Sequence, residues 1–262
     1  MKAIANGVTL HYELRGARGS LVVLTHGLGG DLDFWAPHVE ALAAHHRVLS
    51  WDLRGAGSST KTPGPYDLAL FARDLATLLD RLGEERVHLV GHSGGGVVSQ
   101  RFALDFPERA QSLVLASTSS EVGPKAARAW NRLAELIEQE GFGPEREPDP
   151  RGYSPRFAAE HPEVVREVAS RTRRNDPAAY AATARAFGNY NWTAALGAIA
   201  VPTLILQGLD DQMTPPGGSV ILARGIARAR LLMLPGAGHN LPLEMPQLFA
   251  ATVLAFLAGI EV

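Results

Sequence analysis

Between an apolar, β-branched run from Arg86 to Val90 and a segment with Val98, Phe102 and Asp105 at helical spacing lies Gly91-His92-Ser93-Gly94-Gly95. This is G-x-S-x-G at a strand-to-helix junction. A serine held in so sharp a turn needs neighbours without bulk, and Gly91 and Gly95 supply them. The following helix begins with unbonded backbone N–H groups near the serine oxygen, where they can hold a developing negative charge. These residue types point to nucleophilic catalysis by Ser93, against the alternative of a glycine-rich turn that only links strand to helix.

A serine hydroxyl is a poor nucleophile until a base takes its proton, so a histidine and a group to orient it are required. The chain has nine histidines, and position must choose among them. In parallel α/β sheets, functional residues gather at the carboxyl ends of strands. His239 follows the last expected strand, on the loop Pro235-Gly236-Ala237-Gly238. His11, His45, His46 and His161 read as surface residues and His88 as structural. His92 is expected to point away from the Ser93 side chain, and His26 to shape its own loop. For the orienting acid, Asp210 and Asp211 compete within Gly208 to Pro215. Serine, aspartate and histidine then follow in the order of serine hydrolases with an inserted cap.

The elements that must position these groups alternate. Ala3 to Leu14 reads as a hairpin turning at Asn6-Gly7. Buried strands are expected at 20–25, 47–51, 86–90, 112–116, 202–207 and 230–234, and helices at 37–44, 67–82, 97–105, 216–227 and 246–257. The pattern breaks between Ser119 and Val201, where no strand is convincing. Connections in compact domains run about 2 to 6 residues, so this segment is an insertion. It carries helical spacing at Val122, Ala126, Trp130, Leu133 and Ile137, further helices at 162–173 and 177–187, and a Pro/Gly-rich loop from Gly141 to Pro155. The expected division is a core of residues 1–118 and 202–262, with 119–201 forming a helical cap and the return to the core.

Composition narrows the function classes. A hydrophobic content of 46% over 262 residues supports a large α/β core. The net charge of -2 gives no electrostatic reason to expect nucleic acid or an anionic membrane as partner. Arg171 to Arg174 reads as a solvated helix end. The lack of cysteine rules out disulfides, a thiolate nucleophile and cysteine-ligated metal. The N-terminal residues have no unbroken apolar run of the signal-peptide kind and no stretch nears a membrane span, so a soluble cytoplasmic enzyme is expected. The loop from Asp52 to Ser59 lacks both G-x-G-x-x-G and Gly-Lys-Ser/Thr, which argues against nucleotide binding. Asp52 and Arg54 are expected to brace it.

Taken together, His26-Gly27, Asp52-x-Arg54-Gly55-x-Gly57-x-Ser59, Gly91-x-Ser93-x-Gly95, Gly208-x-x-Asp211-x-x-Thr214-Pro215 and Gly238-His239 resemble the α/β-hydrolase family over almost the whole chain. The resemblance implies an α/β fold with a mostly parallel eight-stranded sheet, helices on both faces and an inserted helical cap. It selects Asp211 over Asp210, completing a catalytic set of Ser93, Asp211 and His239, and makes the backbone N–H groups of Leu28 and Gly94 the oxyanion donors. It implies no metal and no organic cofactor. The layout is similar to carboxylesterases and 3-oxoadipate enol-lactonase-like enzymes, so the expected partner is a small-molecule ester or lactone, cleaved through an acyl-enzyme.

Alternatives with the same residues are carbon-carbon bond hydrolysis of ring-fission products, perhydrolysis or acyl transfer, and ligand sensing with slow hydrolysis. Trp130, Phe157, Phe187, Tyr190, Trp192 and Met213 are candidates to wall the substrate pocket, with simple core filling as the competing role. A pocket-facing Arg128 or Arg132 would suit a carboxylate-bearing substrate. The sequence departs from many relatives in having Gly94, not methionine, after the nucleophile, which predicts a bare pocket wall. Ser93 also stands where dehalogenases and epoxide hydrolases of the family use aspartate.

Overall fold

The computed structural model describes residues 1–143 and 149–260; part of the expected loop from Gly141 to Pro155 therefore lies outside the described residues. Eight strands form one sheet: β1 (Lys2–Ala5), β2 (Val8–Arg15), β3 (Leu21–Thr25), β4 (Arg47–Trp51), β5 (Val87–His92), β6 (Ala110–Ala116), β7 (Thr203–Gly208) and β8 (Ala229–Leu234). Their spatial order is β1-β2-β4-β3-β5-β6-β7-β8. The pairs β1–β2 and β2–β4 are antiparallel, and the other five pairs are parallel. The hairpin turns at Asn6 and Gly7 with φ of 47° and 78°, the positive values an Asn-Gly turn supplies at least cost.

Strands β3, β5 and β7 are buried along their whole length, as unbroken apolar runs require when helices cover both faces. One face carries α1 (Ala36–Ala43) and α10 (Pro246–Ala258), with Trp35, Leu42, Phe249 and Leu257 in its core. The other carries α2 (Leu68–Leu82), α3 (Gly94–Asp105) and α8 (Gly217–Gly225), packed through Phe71, Leu75, Phe102 and Leu222. Helix α2 starts where Asp67 accepts a hydrogen bond from the Leu70 N–H, and its apolar stripe at helical spacing faces the sheet.

Strand register aligns the functional loops. Thr25 pairs with Gly91, Gly91 with Leu115, Ala116 with Leu206, and Gly208 with Leu234. The carboxyl ends of β3, β5, β6, β7 and β8 are therefore level, and the segments after them emerge side by side. Between β6 and β7 the chain forms α4 (Pro124–Glu140), α5 (Pro155–Glu160), α6 (Pro162–Arg173) and α7 (Pro177–Phe187), a helical segment inserted between two neighbouring strands of the sheet. The short α5 and the four-residue α9 (Leu241–Glu244) had no sequence signal beyond prolines in their first turns. Among the described residues, no helix is long and apolar enough to cross a membrane.

Candidate active site

Ser93 lies between β5 and α3 with φ 53° and ψ -120°, a conformation L-residues rarely adopt. The surroundings hold it there. Its N–H donates to the Ala116 oxygen at 2.9 Å, and its carbonyl accepts from Gly96 N–H at 3.0 Å and the Thr118 hydroxyl at 2.9 Å. Gly95 lets α3 close onto β3: a Cβ there would stand 2.6 Å from the Thr25 carbonyl carbon. Ser93 is thus pinned on top of the sheet, beside Gly27, whose added Cβ would be 3.1 Å from that of Ser93.

The loop after β3 runs over this turn. His26 is buried; its Nδ1–H donates to the Gly27 oxygen at 2.7 Å and its Nε2 accepts from Leu53 N–H at 3.1 Å, so a neutral ring is satisfied at both nitrogens. Burial lowers its pKa, against the opposing pull of Asp52. Among the described residues, the N–H groups of Leu28 and Gly94 donate to no other backbone oxygen. Asp52 braces the same loop by accepting from Leu32 N–H and Ser58 N–H, each at 2.7 Å. Arg54 forks onto the buried Asp74 carboxylate at 2.8 and 2.6 Å.

Opposite stands His239, 5% exposed, on the loop after β8. Its Nδ1–H donates to Asp211 Oδ2 at 3.0 Å, which leaves Nε2 with its lone pair. Asp211 is held in turn. Its Oδ1 accepts from Met213 N–H and Thr214 N–H, both at 2.8 Å, and Oδ2 accepts from the Gln207 amide at 3.2 Å. Burial alone would raise the Asp211 pKa, but the His239 bond and charge, with the Thr214 and Gln207 donors, outweigh it and hold the carboxyl below its ordinary value. Asp210 is half-buried and meets its neighbours through its backbone, its N–H donating to the Ala237 oxygen at 2.9 Å. Of the two competing acids, only Asp211 bonds to the imidazole.

His92 joins the two halves. It donates from Nε2 to the backbone oxygen of His239 at 2.8 Å and stacks on Phe34 at 4.7 Å. Burial first, then the neighbouring His239, pushes its pKa down to about 3, so the ring stays neutral. The Ser93 hydroxyl itself bonds to neither His239 nor Asp211 among the described residues. Such a contact often closes only with substrate in place.

The insertion touches both loops. On one side, the Asn175 amide donates to the Gly29 oxygen at 3.0 Å and Arg171 reaches Asp31 at 3.4 Å. On the other, Asn240 donates from its N–H and its side-chain amide to the Gly152 oxygen at 2.9 and 3.0 Å. Glu244 accepts from Gly238 N–H at 3.0 Å and from Ser154 N–H at 2.9 Å.

A fold model described as the alpha/beta hydrolase fold matches residues 20–246. The chain belongs to this family. As an α/β hydrolase it is 36% identical, over 96% of its length and 97% of the relative's, to RutD of Variovorax paradoxus, described as a candidate carbamate hydrolase. The enol-lactonase of Burkholderia xenovorans LB400 superposes with a TM-score of 0.93 at 30% identity, covering 98% of this chain and 100% of that one. A thermophilic esterase from Thermogutta terrifontis superposes at 0.92 with 30% identity, covering 100% and 99%.

Several sequence expectations need correction in this hydrolase. Gly94 does not leave a bare wall, because the Phe187 ring of α7 occupies the space. His46 is buried, not a surface residue, and the half-buried His11 bonds to Asp52 at 2.8 Å. Arg128 and Arg132 are exposed. Of the pocket candidates, Trp192 is buried and donates to Gln100 at 3.0 Å, with Tyr190 tilted against it at 4.8 Å. Trp130 packs between α4 and α7, Phe157 stacks on Tyr153 at 5.7 Å, and Met213 is largely exposed near Gly152. Phe187 lies against the residue after Ser93. Glu244, Asn240 and Gln207 escaped the sequence reading; only their closeness to His239 and Asp211 in the chain hinted at them. Among the described residues, no three His, Asp or Glu side chains converge as a metal-binding group.

Proposed function

We propose that the protein hydrolyses a carboxylic ester or lactone with Ser93 as nucleophile, His239 as base and Asp211 as its orienting partner. The observation that carries this reading is the buried 3.0 Å bond from His239 Nδ1–H to Asp211, which leaves a basic Nε2 at the sheet end where Ser93 is held in its strained turn. His239 Nε2 takes the Ser93 proton as Oγ bonds to the carbonyl carbon, and the resulting oxyanion accepts from the N–H groups of Leu28 and Gly94. The carbonyl re-forms as the bond to the leaving oxygen breaks, and that oxygen takes the proton from His239. Water then gives a proton to His239 and attacks the acyl carbon; Ser93 leaves and recovers the proton, releasing the acid.

Residues 119–201 act in this reading as a cap, since Asn175 and Arg171 meet the loop after β3 while Gly152 and Ser154 meet the loop of His239. The test is Ser93→Ala and His239→Ala on short aryl esters and simple lactones. Each change is expected to lower kcat by about a thousandfold or more. Turnover unaffected by both would overturn the assignment. The likeness to a relative described as a candidate carbamate hydrolase favours one second reading, attack by the same serine on a carbamate carbonyl. Adding carbamates to the same panel separates the two.

A further inference from the structure

The wall beside the nucleophile comes from the insertion. A Cβ on Gly94 would run into the Phe187 ring, standing 2.6 Å from Cζ and 2.9 Å from Cδ2 and closer still to Cε2. The ring therefore occupies the volume that a side chain after Ser93 would fill. Phe187 is the last residue of α7 and 3% exposed, and its outer side packs at 5.9 Å on Phe71 of α2.

The two sides of the site have different tasks. A leaving group must receive its proton from His239, so it departs toward the His239 loop, which packs with the α1 and α10 face through Ala237 and Leu241. The acyl chain points the other way. Phe187 and Phe71 belong to the opposite cluster, that of α2 and α3. Nearby, a cavity of about 10 Å³ lies between Gly27, Leu28, Tyr180 and Thr183. That holds a single water and no alkyl chain.

We propose that Phe187 is the specificity-determining residue of this site, limiting substrates to short acyl groups in place of a side chain at position 94. The proposal rests on Ser93 acting as the nucleophile of an ester or lactone hydrolase. Because the ring is carried by the insertion and not by the nucleophile turn, α7 sets the acyl limit, and a shift of that helix changes which esters fit.

The experiment compares aryl acetate, butyrate and octanoate as substrates of the wild type, Phe187→Ala and Phe187→Leu. The readout is the ratio of kcat/KM for octanoate to that for acetate within each preparation, which cancels any loss of folded protein. The ratio is expected to rise by about tenfold or more in Phe187→Ala, with Phe187→Leu between it and the wild type. A second arm introduces Gly94→Ala, expected to cost about tenfold on acetate in the wild type and less than about threefold once Phe187 is alanine. If Phe187→Ala does not fold, the leucine variant decides. A ratio within about threefold of wild type in every soluble Phe187 variant overturns the proposal while leaving the hydrolase reading intact. A wild type whose ester turnover survives Ser93→Ala overturns the hydrolase reading, and the proposal with it.

Discussion

The imidazole of His92 donates to the backbone oxygen of His239 at 2.8 Å, so the residue beside Ser93 directly holds the loop that carries His239. The contact is buried and the ring is clamped against Phe34. His92→Phe keeps an aromatic ring for the stack but removes the donor. It is expected to lower stability by about 1 to 3 kcal/mol, and to lower kcat for ester hydrolysis by about tenfold with KM little changed. His92→Gln, which retains an N–H donor, is expected to lose less of both. Denaturant midpoints and steady-state kinetics on the two variants check this, and equal losses in both would show that the hydrogen bond has no special role.

Buried neutral histidines make the fold sensitive to acid. Burial lowers the pKa of His26, brings His38 to about 4, and with the nearby His239 brings His92 to about 3. The unfolded chain binds protons at these rings near the ordinary value of about 6.5, while the folded chain does not. Stability is therefore complete above about pH 6.5 and falls as pH drops toward the folded values, by about 1.4 kcal/mol per pH unit for each histidine. Asp211, held below its ordinary value, adds a loss of the same sign only at lower pH, as its carboxylate protonates. Unfolding titrations at pH 7.5, 6 and 5 should show the decline, and His38→Leu should flatten it by one histidine's share.

The sheet was readable because continuous apolar runs such as Leu21 to Thr25 and Thr203 to Gly208 are buried on both faces, where hydrophobic pattern alone decides the structure. That Ser93 and His239 follow strands on glycine-rich turns was readable, because glycines punctuate the ends of the apolar runs. The space over Gly94 was not. Its occupant, Phe187, is far away in the chain and arrives only when α7 docks, so the local sequence correctly reports a missing side chain and wrongly implies a void. His46 and His11 read as surface residues for a related reason: neither sits at the carboxyl end of a strand, and the partners that hold them, Ser20 for His46 and Asp52 for His11, are distant in the chain. Glu244 belongs to the same class, since its role depends on Ser154 in the insertion.

Glu244 fastens that insertion to the loop of His239. One carboxylate holds Gly238 N–H and Ser154 N–H, and Gly238 admits the insertion so closely that a Cβ would stand 2.8 Å from the Tyr153 Cα. Glu244→Ala removes the acceptor for both amides and is expected to cost about 1.5 to 3 kcal/mol of stability. With the contact loosened, KM should rise and kcat fall together. Cleavage by added protease near residues 149–154 should quicken. Glu244→Gln, keeping one carbonyl oxygen, should lie nearer the wild type in all three measurements.

The choice between adjacent aspartates gives the sharpest test of the proposed catalytic group. In Asp211→Asn, the amide oxygen can still accept from Met213 and Thr214 N–H, because those donors converge on one side of the carboxyl. Its NH2 then faces the Gln207 amide and the His239 Nδ1–H, donor against donor. The imidazole can relieve that conflict only by moving its proton to Nε2, which removes the lone pair needed to take the Ser93 proton. The expected loss in kcat is about a thousandfold or more with KM little altered, and the fold should survive because the loop's backbone bonds remain. Asp210→Asn leaves every one of these contacts in place and should stay within about threefold of wild type. Equal losses for the two substitutions would place the effect in the loop as a whole and not in the Asp211–His239 bond.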